Sequence, residues 1–177
     1  GSLFAAAAAF SRPAEVFFWP YLTAIKSVPV APFIIICLIW LDASGLSVFI
    51  SFLMVFPVVY FNVLEGMKSA DRKLLQMAEL FHMSRRKKLF YIYLPQTEPF
   101  LLSACSTALG VSWKAGIAAE VIGIPDGSIG ERLYEAKIYL STAELLAWTV
   151  VIVILSVLFE KLFMKALRTV LAALKRR

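Results

Sequence analysis

The sequence predicts an all-α membrane protein, a polytopic helical bundle of about five spanning segments. Three observations carry this. Of the 177 residues, 60% are hydrophobic and only 17% charged, with a mean hydropathy of +0.80; soluble domains average about 25% charged and 45–50% apolar residues. Apolar runs alternate with short polar links, and a spanning helix needs about 20 such residues. The net charge of +6 is gathered into one internal loop and the C-terminal end. That is the pattern of cytoplasmic membrane edges rather than of a nucleic-acid surface, so no nucleic-acid partner is expected. The chain is read as a single transmembrane domain over 1–177, with a cytoplasmic loop at 64–95 inside it.

The first segment, residues 1–10, is alanine-rich and reads as the end of a helix already under way, closed by Ser11-Arg12-Pro13. Small residues there favour close helix packing. The second begins near Glu15 and runs to Leu41, interrupted by Pro29 and Pro32. Proline lacks an N–H and clashes with the preceding turn, so a short helix over 15–27 is expected, then a spanning helix over 29–41. The third segment is 46–63, kinked at Pro57. The fourth is 100–122, and the fifth is 145–162, continuing into the basic C-terminal end.

Basic residues orient these segments. Loop 64–95 holds Lys68, Arg72, Lys73, Arg85, Arg86, Lys87 and Lys88, and the C-terminal end holds Lys161, Lys165, Arg168, Lys175, Arg176 and Arg177. Link 42–45 has Asp42 alone, and loop 123–144 is acidic on balance. The positive-inside rule places 11–28, 64–95 and the C-terminus in the cytoplasm and the other two links outside. Every segment then alternates in direction. Cys37 and Cys105 lie in apolar runs and read as packing residues. With one histidine and no clustered cysteines, neither a protein metal site nor a Cys/His catalytic pair is expected.

Within loop 64–95, Ser69 is expected to cap a helix starting at Ala70, with Asp71 in its first turn. Leu74, Met77 or Ala78, and Phe81 recur at helical spacing, with Gln76 and Glu79 largely off that stripe. His82-Met83-Ser84 should end this helix, and Ser84 can cap a second one from Arg85 toward Tyr93. The four basic residues at 85–88 sit at its N-terminus, where the macrodipole disfavours them. Two readings are open on these residues alone: a helix pair lying on anionic lipid, or a surface offered to a soluble partner.

The run Gln76-Met77-Ala78-Glu79-Leu80-Phe81-His82-Met83-Ser84-Arg85, followed by Ile92-Tyr93-Leu94-Pro95, resembles the EAA loop of ABC-importer permeases, in the variant of the nitrate/sulfonate/taurine type. In that family the pattern runs Glu-Ala-Ala, three residues, Gly, nine residues, Ile, one residue, Leu-Pro. Ile92, Leu94 and Pro95 match, and Ala78 falls on the second Ala. Gln76 replaces the Glu and His82 the Gly, whose role is a left-handed turn; a His can take positive φ at a cost. Other stretches resemble the family in order: Pro-Val-Ala-Pro at 29–32 with Trp40 after it, Pro57, Asn62 with Gly66, Ala119-Glu120-Val121-Ile122-Gly123 and Gly127-Ser128-Ile129-Gly130. The resemblance implies a MetI-like permease fold, with the family's first spanning helix expected upstream. It implies that 64–95 forms the coupling helix that docks on an ABC ATPase subunit, through Gln76, Met77, Ala78, Glu79, Phe81, His82, Ser84, Arg85, Ile92, Leu94 and Pro95. It further implies a second permease copy, an extracytoplasmic solute-binding protein and a bacterial inner-membrane location.

No Gly-x-x-x-x-Gly-Lys-(Ser/Thr) loop occurs in the sequence. ATP and Mg are therefore expected on the partner subunit, with no cofactor on this chain and no enzymatic activity of its own. The expected function is ATP-driven import of a small, anionic solute of nitrate, sulfonate or taurine type by alternating access. The alternatives are import of a thiamine precursor or other small organic solute, or an ATP-independent transporter or channel. The latter should show inverted repeats and paired intramembrane charges. Candidates for the path are Pro29, Pro32, Trp40, Trp113, Lys114 and Glu120. Charges inside spans are costly and often functional, yet Lys114 can equally snorkel outward and Glu120 mark the interface. Pro29 and Pro32 either start a helix or break one beside a cavity. Trp40 and Trp113 are read as packing or interface-belt residues, or as ligand platforms.

Overall fold

The computed structural model describes residues 1–175, apart from the side chains of Arg85, Arg86, Leu174 and Lys175. Its elements are α1 (Ser2–Phe10), α2 (Arg12–Ser27), α3 (Val30–Cys37), α4 (Ala43–Lys68), α5 (Arg72–Leu80), α6 (Arg85–Lys88), a π turn (Leu89–Tyr93), α7 (Leu94–Gly123), α8 (Ile129–Ile138) and α9 (Thr142–Lys175). Among the described residues there is no strand.

Among the described residues three helices are long and apolar enough to cross a bilayer: Ala43–Lys68, the continuous run Leu89–Gly123, and Thr142–Ala173. The pair α2 and α3, bent by 100°, makes a fourth if counted as one span. The expectation of about five spans therefore resolves to three or four. α1 has nine residues, roughly 13 Å at 1.5 Å per residue, which is under half a bilayer core.

Several boundaries differ from expectation. The helix predicted over 29–41 is only Val30–Cys37; Leu38 caps it and residues 38–40 form a turn. The fourth span does not begin at Phe100. It runs on from the π turn through Pro95 and Pro99. Loop 123–144 holds α8, a helix that the sequence does not announce. α4 continues unbroken through Pro57, and α9 extends into the basic end as expected.

Contacts divide the chain into two compact units, Gly1–Thr23 with Phe56–Thr107, and Ala24–Val55 with Ala108–Arg177. The first is built on aromatic edges and small residues. Phe4 meets Phe18 at 5.2 Å and Phe56 at 5.6 Å between ring centres, and Phe18 meets Tyr60 at 6.3 Å. Ala5 and Ala8 are buried, as the alanine-rich start suggests. Gly66 lets α7 close on α4: a Cβ there would sit 2.8 Å from that of Phe100. Glu15 pairs with Lys68, tying the start of α2 to the end of α4.

The second unit packs Ile34 and Cys37 against Leu46 and Ile50 of α4 and Ala115 and Ala119 of α7. Its α4–α7 contact depends on small residues, as membrane helix pairs generally do. Ser51 donates a hydrogen bond to the Ser112 carbonyl at 3.1 Å. A Cβ on Gly116 would come within 2.9 Å of the Ser51 hydroxyl oxygen.

Candidate functional site

The loop element of the first unit, residues 64–95, is built around α5. The capping residue is Asp71 rather than Ser69: its carboxylate accepts from the Lys73 N–H at 2.8 Å, while the Ser69 hydroxyl turns back to the Gly66 carbonyl at 3.0 Å. Asp at an N-cap satisfies an otherwise orphaned donor and its charge suits the helix start. The Asp71 N–H donates in turn to Gln96 Oε1 at 2.7 Å, so the first turn of α5 is fastened to α7.

The far end of α5 closes on His82, whose φ is 49°. The His82 N–H bonds the Glu79 carbonyl at 3.0 Å and the Met83 N–H bonds the Ala78 carbonyl at 2.9 Å. This is the paired pattern of a left-handed helix stop, normally occupied by Gly. The His that departs from the glycine pattern thus adopts the glycine conformation. The Ser84 carbonyl accepts from the Lys88 N–H, which starts α6, and the Lys88 side chain reaches back to Glu79 at 3.6 Å. The helix expected from Arg85 toward Tyr93 is instead one α turn followed by a π turn that merges into α7. The side chain of Arg85 lies outside the described residues.

α5 faces two ways. Ala78 is buried against its own unit, while Gln76, Met77, Glu79 and Phe81 are exposed. Leu74, Met77 and Phe81 are 42%, 57% and 70% exposed and lie at i, i+3 and i+7, so this short helix turns an apolar stripe outward. Within the π turn Ile92 is buried, and just after it Leu94 and Pro95 are half-buried. The expected loop residues therefore separate into an outward set on α5 and an inward set that seats the following helix.

The candidate path residues do not form one site. A mostly apolar depression of about 370 Å³ in the second unit is lined by Val48, Trp113, Ile117 and Phe159, with Ser47, Ser51, Ser112 and Glu120 as its polar groups. Lys114 instead lines a different cavity of about 460 Å³, with Trp113, Thr149, Ser156 and Glu160. Trp113 borders both and packs edge-on against Phe159, with ring centres 6.1 Å apart. Pro29, Pro32 and Trp40 line neither. Pro29 holds the N-cap position of α3 and Pro32 its first turn, where an N–H needs no intrahelical partner. Trp40 is exposed on the turn after α3.

Glu120 fastens α7 to the helix that follows, its carboxylate accepting from the Gly130 N–H at 3.1 Å. Gly130 lies in the first turn of α8, where donors are free and partial positive charge gathers. Ser128 caps the same turn by accepting from the Glu131 N–H at 3.0 Å, and Glu131 accepts from the Gly127 N–H at 2.7 Å. α8 comes so close to α7 that a Cβ on residue 130 would stand 2.2 Å from that of Glu120. The serine residues of the depression, Gln96 and Gly130 do not stand out in the sequence as site residues. The one signal for the serines is the spacing of small residues at 47 and 51, and at 112 and 116.

Comparisons agree with this architecture. The family described as binding-protein-dependent transport system inner membrane component matches residues 1–177. The chain is 29% identical to the taurine transport system permease protein TauC of Escherichia coli over 142 residues, 80% of this chain and 51% of that protein. It is 23% identical to a putative aliphatic sulfonates transport permease protein, SsuC, of Bacillus subtilis over 154 residues, 86% and 55% of the two chains. The nitrate import permease protein NrtB of Synechococcus elongatus is 25% identical over 118 residues, 66% and 42%. The chain spans about half the length of the curated relatives it matches.

Proposed function

The chain belongs to the family of binding-protein-dependent transport system inner membrane components, and on that premise we propose that it is the permease part of an ATP-driven ABC importer for a small anionic solute. The relatives bear names that refer to taurine, aliphatic sulfonates and nitrate, which supports a sulfonate or small oxoanion as cargo. Residues 1–177 act as one permease domain in the bacterial inner membrane, with 64–95 and the C-terminal end in the cytoplasm. The partners are an ABC ATPase subunit that carries ATP and Mg, an extracytoplasmic solute-binding protein and a second permease copy. α9 has no buried residue along its most apolar stretch, a face that lipid or that second copy would cover. Ser47, Ser51 and Ser112, on the walls of the depression beside Trp113, would give a solute hydroxyl partners inside the bilayer.

The single observation behind this reading is the apolar, outward face of α5 on a helix fastened at its start to α7. Exposed apolar side chains at i, i+3 and i+7 suit a groove on a partner, and the Asp71–Gln96 bond carries a displacement of α5 to the spanning helix. The experiment is co-purification of the full-length permease with its ATPase subunit. Replacing Leu74, Met77 and Phe81 together by Ser should abolish association while the permease stays folded in the membrane. Undiminished association would remove α5 from the interface.

A further inference from the structure

The π turn between the basic segment and α7 is unused by the coupling reading. Such a turn is one extra residue wound into an α-helix, and it concentrates at functional sites. Here it has a local cause. In a regular helix the Pro95 ring would press on the Tyr91 carbonyl. The wider turn, closed by the Leu94 N–H on the Leu89 carbonyl, relieves that contact.

Two features beside it oppose the π register. An apolar cavity of about 190 Å³ lies against Leu89, Phe90, Tyr93 and Leu94, with Val63 and Met67 of α4 also lining it. Thr97, only 7% exposed, lines the same cavity, and its hydroxyl has no hydrogen-bond partner among the described residues. A helical threonine ordinarily bonds the carbonyl four residues back, which here is Tyr93, the last residue of the π turn. The turn is also flanked by both links to α5: Lys88 to Glu79 before it, and Gln96 to the Asp71 N–H after it.

We propose that residues 89–93 are a register switch between the coupling helix and the transport helix, an inference that rests on the coupling reading above. Pro95 holds the π register, while the cavity and the orphaned hydroxyl favour its resolution into α-helix. Two packings so balanced are shifted by a ligand that favours one of them. When the ATPase displaces α5, the turn resolves. The segment up to Lys88 then rotates by about 100° and moves by ~1.5 Å relative to Gln96. Apolar side chains of the turn fill the cavity, and Thr97 recovers a carbonyl. The longer Lys88–Glu79 contact, exposed at its Glu79 end, yields, and the Asp71–Gln96 bond holds.

The test uses the reconstituted full-length permease with its ATPase and spin labels at Lys87 and Ser103. In the wild type, ATP should add a second distance population. Pro95→Ala should show that population without ATP and raise basal ATP hydrolysis several-fold. Thr97→Val, of equal volume, should keep only the first population and lower the solute carried per ATP several-fold. A wild-type distance that ATP leaves unchanged, with the ATPase still bound, overturns the switch. So does a shift of both variants in the same direction. Failure of the wild-type ATPase to associate overturns the coupling reading and the switch together.

Discussion

Gly130 sits where two backbones nearly touch. A methyl group there would overlap the Glu120 side chain, and overpacking of that kind costs about 1–3 kcal/mol. Gly130→Ala should therefore lower the thermal unfolding temperature of the detergent-solubilised permease measurably. In the same assay Glu120→Gln should be nearly silent, since an amide oxygen still accepts from the Gly130 N–H. Solute uptake should also survive Glu120→Gln; loss of uptake at unchanged stability would make the Glu120 charge a solute contact. His82 teaches a related lesson. Its departure from glycine suggests an altered turn, yet the backbone takes the left-handed stop with φ of 49°. Two hydrogen bonds across the stop hold a conformation that a non-glycine residue adopts at a cost.

At the scale of elements, α5 depends on its cap. Asp71→Ala should destabilise that helix by about 1 kcal/mol and weaken ATPase association several-fold, leaving the backbone link to Gln96 in place. Equal association of variant and wild type, measured by titration, would show that α5 docks without a formed first turn. The amphipathic pattern of 74–81 is legible because Leu74, Met77 and Phe81 repeat at helical spacing. The start of the helix is not, because Ser69 and Asp71 are both good caps. The choice falls to Asp71, whose N–H finds Gln96 twenty-five residues away. α8 is hidden for a similar reason. Ten residues of mixed polarity carry little periodic signal, and its stability derives from Glu120 and Gly130, a contact invisible in local sequence. The π turn is equally hidden, although Pro95 marks where a regular helix is obstructed.

For the whole molecule, the basic and acidic links predict which ends share a side. With Cys37 and Cys105 replaced, single cysteines at His82 and Tyr139, both exposed, should react with a membrane-impermeant thiol reagent from opposite faces of the membrane. Labelling of both in intact cells would invert or break the proposed topology. The existence of long spans is legible from composition, since long apolar runs leave few alternatives. Their lengths are not. A kink is expected at Pro57, and α4 runs through that residue as one continuous helix, as α7 does through Pro99. Spanning helices tolerate proline where surrounding groups satisfy the freed carbonyl, and Pro57 is fully enclosed by its neighbours.

α9 has 34 residues, about 51 Å of continuous rod against a hydrocarbon thickness of about 30 Å. Even tilted by about 20°, it leaves a mast of some five nanometres only partly sunk in lipid. A dye fixed at Val170, which is 56% exposed, would ride just beyond the hydrocarbon edge. In thicker bilayers the same dye would be drawn toward the surface, so the molecule carries its own depth gauge.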